Sequence, residues 1–118
     1  VSRRQERVAD LVRHELSRIM LRDLQDPRVR MASVSTVDIS PDLRHARIGV
    51  SVLGDEGERL EAVRALGRAR GYLRRRLAAE LRDLRTIPEL EFELDRGAEH
   101  SQRISDLLER LDRHDTDS

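Results

Sequence analysis

The apolar residues of this chain keep two different periods, and the switches between them limit what it can fold into. From Val8 onward, Leu11, Val12, Leu16, Ile19, Met20 and Leu24 recur at three- and four-residue steps, which places them on one stripe of a helix. Asp26-Pro27 follows directly, and proline disfavours helical geometry at the residue before it. A first helix is therefore predicted over about Arg3 to Leu24. Ser2 and Gln5 have the spacing of a capping box, in which each side chain satisfies an orphan backbone N–H of the first turn. Past Pro27 the period drops to two. The stretch Val29 to Ile39 is rich in Val, Ser and Thr, and its alternation breaks near Ser33–Ser35, where a bulge fits. Ser40-Pro41-Asp42 makes a turn. Ala46, Ile48, Val50 and Val52 then alternate with His45, Arg47, Gly49 and Ser51, so the two strands are expected to form an antiparallel hairpin.

A helical period returns after Gly54-Asp55-Glu56-Gly57, first as Leu60, Val63 and Leu66 and then as Leu73, Leu77, Leu81 and Leu84. Two glycines, Gly67 and Gly71, stand where the spacing shifts. Glycine weakens a helix interior, so a kink or break is expected at Ala69-Arg70-Gly71, with one straight helix as the alternative. Leu90, Phe92 and Leu94 alternate with Glu89, Glu91, Glu93 and Asp95 as a third strand with one acidic face. Ile104, Leu107, Leu108 and Leu111 mark a closing helix after Gly97, and the short acidic tail from Asp112 is expected to be disordered. This order describes one α+β domain with helices on one face of a three-stranded sheet. The chain has 118 residues, of which 32 are Leu, Ile, Val or Phe, enough for one domain with a core.

Charge sharpens the picture. The 23 basic residues, all arginine, balance 23 acids. By segment the net charge is +3 over residues 1–30, −3 over 31–63, +6 over 64–85 and −6 over 86–118. Recognition depends on the local field rather than the total, so the +6 segment is the feature to explain. Other chemistry has little support. There is no cysteine, and His14, His45, His100 and His114 are scattered, so no metal site is expected. No phosphate-binding loop or nucleophile motif is present, and acid pairs such as Asp55 and Glu56 read as solvated carboxylates. No enzyme activity, cofactor or small-molecule substrate is expected. With only Tyr72 and Phe92 as aromatic rings, gripping bases by stacking is excluded. No apolar run approaches the ~18–20 residues that span a bilayer, and a soluble cytoplasmic protein is expected. Gly54-Asp55-Glu56-Gly57 has the letters of the GXXG loop with which KH domains clamp nucleic acid. Its two acids would repel phosphate, and it joins a strand to a helix, so it is a connection.

At the expected kink, Ala69-Arg70-Gly71-Tyr72-Leu73-Arg74 resembles the Ala-x-Gly interhelical kink and following Leu-Arg of bacterial ribosome-binding factor A, a family that carries this kink in place of GXXG. Further matches are Asp26-Pro27-Arg28-Val29 before the first strand and Asp42-Leu43 with Ala46 around the hairpin. Leu84-Arg85, Pro88-Glu89-Leu90, Phe92, Asp95 and Leu107-Leu108 complete a set spread over residues 3–111. The resemblance implies a single KH-like domain of type II topology, αββααβ plus a C-terminal helix, over residues 1–111, followed by the tail 112–118. It implies a non-enzymatic, monomeric factor that binds the free or immature 30S subunit and 16S rRNA. Such factors assist late maturation and rRNA processing, especially in the cold. The tail here is acidic, so rRNA contacts made by a basic tail in other members are not expected.

On an ideal helix turning about 100° per residue from Leu73, Leu77, Leu81 and Leu84 fall at about 40°, 80° and 20°. Arg75 and Arg82 fall at about 200° and about 180°, opposite that stripe, and Arg74 and Arg85 flank it. Together with Arg68, Arg70 and Arg76 these arginines are expected to surround the kink formed by Ala69 and Gly71 and to hold rRNA phosphates, with Arg3, Arg4 and Arg7 extending the patch. The rival expectation is a protein–protein adaptor that uses its charged faces without touching RNA.

Overall fold

Ser2 starts the first helix as its spacing predicts. In this computed structural model, which describes residues 1–97 and Leu108, α1 runs Arg3–Asp23 and its capping box is complete. Ser2 Oγ accepts from the Gln5 N–H at 3.1 Å, and Gln5 Oε1 accepts from the Ser2 N–H at 3.0 Å. The other end of the Gln5 amide donates to the Ile39 carbonyl at 2.8 Å, tying the start of the helix to the end of the first strand. Val8, Val12, Leu16, Ile19 and Met20 are buried along one stripe. Asp26 then caps a short 3-10 turn, Pro27–Val29, by accepting from the Arg28 N–H. The Arg28 guanidinium on the same carboxylate, helped by that backbone bond, holds Asp26 at a pKa of about 2.

Strands β1 (Ala32–Ile39) and β2 (His45–Val52) form the expected antiparallel hairpin. Its register shifts between Val34 and Thr36, so Ser35 is the bulged residue. The bulge dictates what stands opposite. A Cβ on Gly49 would lie 2.2 Å from Thr36 Oγ1, so any other residue there would force the Thr36 side chain to turn away. At the turn, Ser40 Oγ donates to Asp42 Oδ1 and Asp42 accepts from the Arg44 N–H. Leu43, at φ 63°, is the one non-glycine residue with positive φ among the described residues. Its partly buried side chain packs against the core, which offsets that strain.

The third strand, β3 (Glu89–Leu94), lies beside β2 and parallel to it, giving the order β1-β2-β3. Parallel neighbours need a crossover, and a helix supplies it. Here the structure corrects the expectation: the break at Ala69-Arg70-Gly71 does not occur. One helix, α2, runs unbroken from Glu56 to Glu80, so the element order is αββαβ rather than αββααβ. Its buried residues are Ala62, Ala65, Leu66, Leu73 and Leu77. With Leu73 at zero, Ala62, Leu66, Ala69 and Leu77 fall at about −20°, 20°, −40° and 40°, a single stripe. The apparent shift arises from giving Leu60 and Val63 the weight of core residues; Leu60 is 38% exposed, and small alanines carry the stripe past both glycines. The helix ends at Glu80. Leu81 and Leu84 still pack against the core, but from the connection to β3, so the helical angles expected for Arg82 and Arg85 do not apply.

The core lies between the two helices and one face of the sheet, with Leu16, Ile19, Ile48, Val50, Leu66, Leu73 and Leu77 fully buried. Leu90 is buried, while Phe92 and Leu94 are half-buried at the sheet's edge. The closing-helix residues Ile104, Leu107 and Leu111 and the tail 112–118 lie outside the described residues; Leu108 is helical and exposed.

Three outcomes follow from this packing. Leu73→Ala should cost about 2–5 kcal/mol in chemical denaturation, because a fully buried leucine leaves a cavity. Gly67→Ala should instead stabilise by about 0.5–1 kcal/mol, since a Cβ there meets nothing within 4 Å. Folding lowers the Asp26 pKa, so its contribution is complete above the ordinary 3.8 and lost as pH falls through about 2. The stability deficit of Asp26→Asn should therefore be full at neutral pH and shrink across that window in acid melts.

Candidate nucleic-acid interface

Packing the alanine–leucine stripe inward forces the opposite side of α2 to face solvent, and that side is built from arginine and glycine. At about 100° per residue, Gly67 and Gly71 fall at about 120° and about 160°. Arg70 and Arg74 stand on one side of them, at about 60° and about 100°. Arg64, Arg75 and Arg68 stand on the other, at about 180°, about 200° and about 220°. The two glycines thus form the floor of an open groove of ≈ 680 Å³, lined also by Arg64, Arg68, Arg70, Arg74, Glu89 and Leu90. Arg75 borders it, its Nη1 lying 3.6 Å from where a Gly71 Cβ would sit.

The expected arginines do not form one cluster; the structure divides them among three settings. Arg68, Arg70 and Arg74 line the groove. Of these, Arg74 also holds the chain together: Nε and Nη2 donate to the Ile87 carbonyl at 3.2 and 2.9 Å, and Nη1 lies 3.5 Å from Glu89. Arg70 and Arg75 make no ion pair among the described residues. Arg68 contributes only a long-range attraction that helps lower the Asp26 pKa.

Arg76 is turned the other way. Its Nε donates to Asp23 Oδ2 at 3.2 Å, where Tyr72 Oη also donates at 2.9 Å, while Arg22 bonds the other carboxylate oxygen. The Arg22 bond, then the Tyr72 bond, holds the Asp23 carboxyl below its ordinary range, and the bond to Asp23 pushes the Tyr72 phenol up. This cluster fastens the end of α1 to α2 and leaves Arg76 engaged.

The third setting is a wide groove between the first half of α1 and the α2–β3 connection. Arg4, Arg7, Arg82 and Arg85 line it, but so do Glu15, Asp42, Glu80 and Asp83. Its charges cancel. Arg82 is further drawn onto its own helix end, donating to the Ala79 carbonyl at 3.3 Å. Arg3 is exposed and lines neither groove. The groove over Gly67 and Gly71, by contrast, sets four arginines against the single acid Glu89. It is the place among the described residues where positive charge is both concentrated and open.

One member is missing from the sequence expectation. Arg64, which pairs with Glu61 at 2.9 Å, also lines the groove, one helical turn before Arg68. The i, i+4 spacing of Arg64 with Arg68 and of Arg70 with Arg74 is the signal that could have found it. The described residues contain no group of three or more acids, histidines or cysteines able to hold a metal, and no helix among them is long and apolar enough to cross a membrane.

Comparison with known proteins points one way. Residues 4–108 match the family described as ribosome-binding factor A. A ribosome-binding factor A from Syntrophomonas wolfei is 47% identical over 111 residues, covering 92% of this chain and 90% of that protein. One from Solibacter usitatus is also 47% identical over 111 residues, covering 94% and 89%. The crystal structure of ribosome-binding factor A from Thermus thermophilus superposes with a TM-score of 0.70 at 29% identity, over 79% of this chain and 97% of that one. A homology model of the Thermus thermophilus factor, fitted into a cryo-electron microscopy map of its complex with the 30S subunit, gives a TM-score of 0.61 at 32% identity. It covers 74% of this chain and 90% of the other.

Proposed function

Because this chain belongs to the ribosome-binding factor A family, we propose that it binds the free or immature 30S subunit and its 16S rRNA through the outward face of α2. It acts there as a monomeric, non-catalytic factor in late subunit maturation and rRNA processing, working in the cytoplasm. The αββαβ order is read as a type II KH-like domain spanning residues 1–111. Ala69-Arg70-Gly71 occupies the position of the family's Ala-x-Gly element, within a continuous helix.

The observation that carries this reading is the glycine floor between two rows of arginine. Without side chains at Gly67 and Gly71, a sugar–phosphate backbone can lie close against α2, and guanidinium forks on both sides can donate to its phosphates in pairs. Recognition then rests on backbone position and RNA shape rather than base identity, in keeping with the shortage of aromatic rings. Glu89 of β3 lines the groove, and Glu91 and Glu93 follow it along the strand, so RNA that strayed across the sheet would be repelled, which limits the path to the helix.

Replacing Arg68 and Arg75 together with glutamate should leave the circular dichroism spectrum and melting temperature close to the parent, since neither side chain supports the core. Co-sedimentation with 30S subunits should fall by about tenfold or more. The salt dependence of affinity for naked 16S rRNA should flatten by about one log-log unit for each phosphate no longer bound. Equal binding with an unchanged salt slope would instead favour an adaptor that meets ribosomal proteins alone. Gly67→Leu provides a second test: the helix is kept, the floor is filled, and 30S binding should drop without loss of stability.

A further inference from the structure

The sheet has a second open border, at the opposite side from the arginine groove. Because the order is β1-β2-β3, the outer edge of β1 has no strand beside it among the described residues. The hydrogen-bond pattern shows which groups face outward. Leu53 N–H donates to the Met31 carbonyl and Ser40 N–H to the His45 carbonyl, which sets the alternation on each side of the bulge. Ala32, Val34, Val37 and Ile39 therefore turn their backbone groups away from β2. The Ile39 carbonyl is taken by Gln5, which agrees with this assignment. Ala32, Val34 and Val37 have no such partner among the described residues.

Edge strands are ordinarily guarded by charge or proline. This one reads Ala-Ser-Val-Ser-Thr-Val-Asp-Ile, with no proline and no charge before Asp38. The bulge at Ser35 is its only guard along that run. Beside the Val37 end of that edge, α1 and β1 enclose a groove of ≈ 350 Å³ whose lining includes Val1, Glu6, Ala9, Asp10, Val37 and Asp38 and no arginine. Glu6, Asp10 and Asp38 make no ion pair among the described residues. Three unpaired carboxylates against the single Val1 amino terminus give the groove at the Val37 end of this edge a net negative charge.

We propose that the outer edge of β1 accepts an extended, lysine- or arginine-rich segment of a protein partner as an added strand. Its backbone would pair with Ala32, Val34 and Val37. Apolar residues on one side of the segment would rest on Ala9 and Val37, and its cations would face Glu6, Asp10 and Asp38. Charge selects this occupant over the others. RNA would be repelled by the same three acids, and a second copy of this chain would bring its own set of them to the shared edge. The two borders then divide the work: nucleic acid on the α2 side, a cationic protein segment on the β1 side.

The probe is a peptide as long as β1 that alternates lysine with valine, compared with its glutamate–valine counterpart, titrated into the full chain with amide hydrogen exchange as the readout. The cationic peptide should bind saturably and protect the Ala32, Val34 and Val37 amides, and the acidic one should not. Glu6→Lys with Asp10→Lys, both exposed on α1, should weaken binding by about tenfold. Val37→Pro should abolish it, since that N–H points away from β2 and its loss leaves the hairpin bonds intact. Equal binding of both peptides, or protection confined to other residues, would overturn the proposal. So would protection of these amides by self-association in sedimentation, without peptide. Because neither variant touches α2, their 30S binding reports separately on the arginine groove.

Discussion

The parallel pairing of β3 with β2 is the constraint from which the rest of the architecture follows. His45 faces Glu89 and Val50 faces Leu94, so the chain, having left β2 at Val52, must travel back along the whole strand before it can start β3. Eight residues of strand cover about 26 Å, and the 25 residues of α2 cover about 37 Å. A helix of that length, laid across one face of the sheet, spans the return with turns at either end. It can do so only by presenting a continuous apolar stripe to the strands and a continuous solvated side to the outside. The core and the charged groove are two sides of that single requirement.

That geometry explains why an electrically neutral chain can present a strongly charged face. The arginines of the +6 segment cannot enter the core, so the crossover spreads them over the outside of α2 and the turn that follows. The acids of the −6 segment begin on β3, at the sheet edge beside the groove. Where opposite charges meet, as at Arg74 with Glu89 or Arg76 with Asp23, they hold elements together. Away from that seam the arginines are exposed, and exposed ion pairs are worth little individually. Exchanging solvent or a weak surface partner for an RNA phosphate therefore carries only a small penalty.

Glycine has a different meaning here from the one its helix propensity suggests. Gly67 and Gly71 would weaken an isolated helix, yet α2 passes through both without a break because Leu66, Leu73 and Leu77 are fully buried on the other side. What the glycines supply is room. A side chain at either position would stand up in the groove. Gly49 illustrates a different case, a glycine on the face of β2 away from the core, where a Cβ would run into the Thr36 hydroxyl of the bulged β1.

The amino-acid sequence by itself determined the elements set by local chemistry. The limits of α1 followed from its stripe, the Ser2–Gln5 capping box and Pro27. The hairpin followed from its period of two, the bulge from the broken alternation around Ser35, and the third strand from Leu90, Phe92 and Leu94. Each depends on residues within a few positions of one another, so spacing alone reveals it. Only the tertiary structure decided that β3 joins β2 in parallel and that α2 is one helix. It alone placed Arg4, Arg7, Arg82 and Arg85 in a charge-balanced groove apart from Arg64, Arg68, Arg70 and Arg74. Those outcomes hang on contacts between residues far apart in the chain: Asp23 with Arg76, Ile87 with Arg74, Val50 with Leu94. Local propensity at Gly67 and Gly71 argued for a break. Burial of the far side of the helix, worth more than two glycines cost, overruled it.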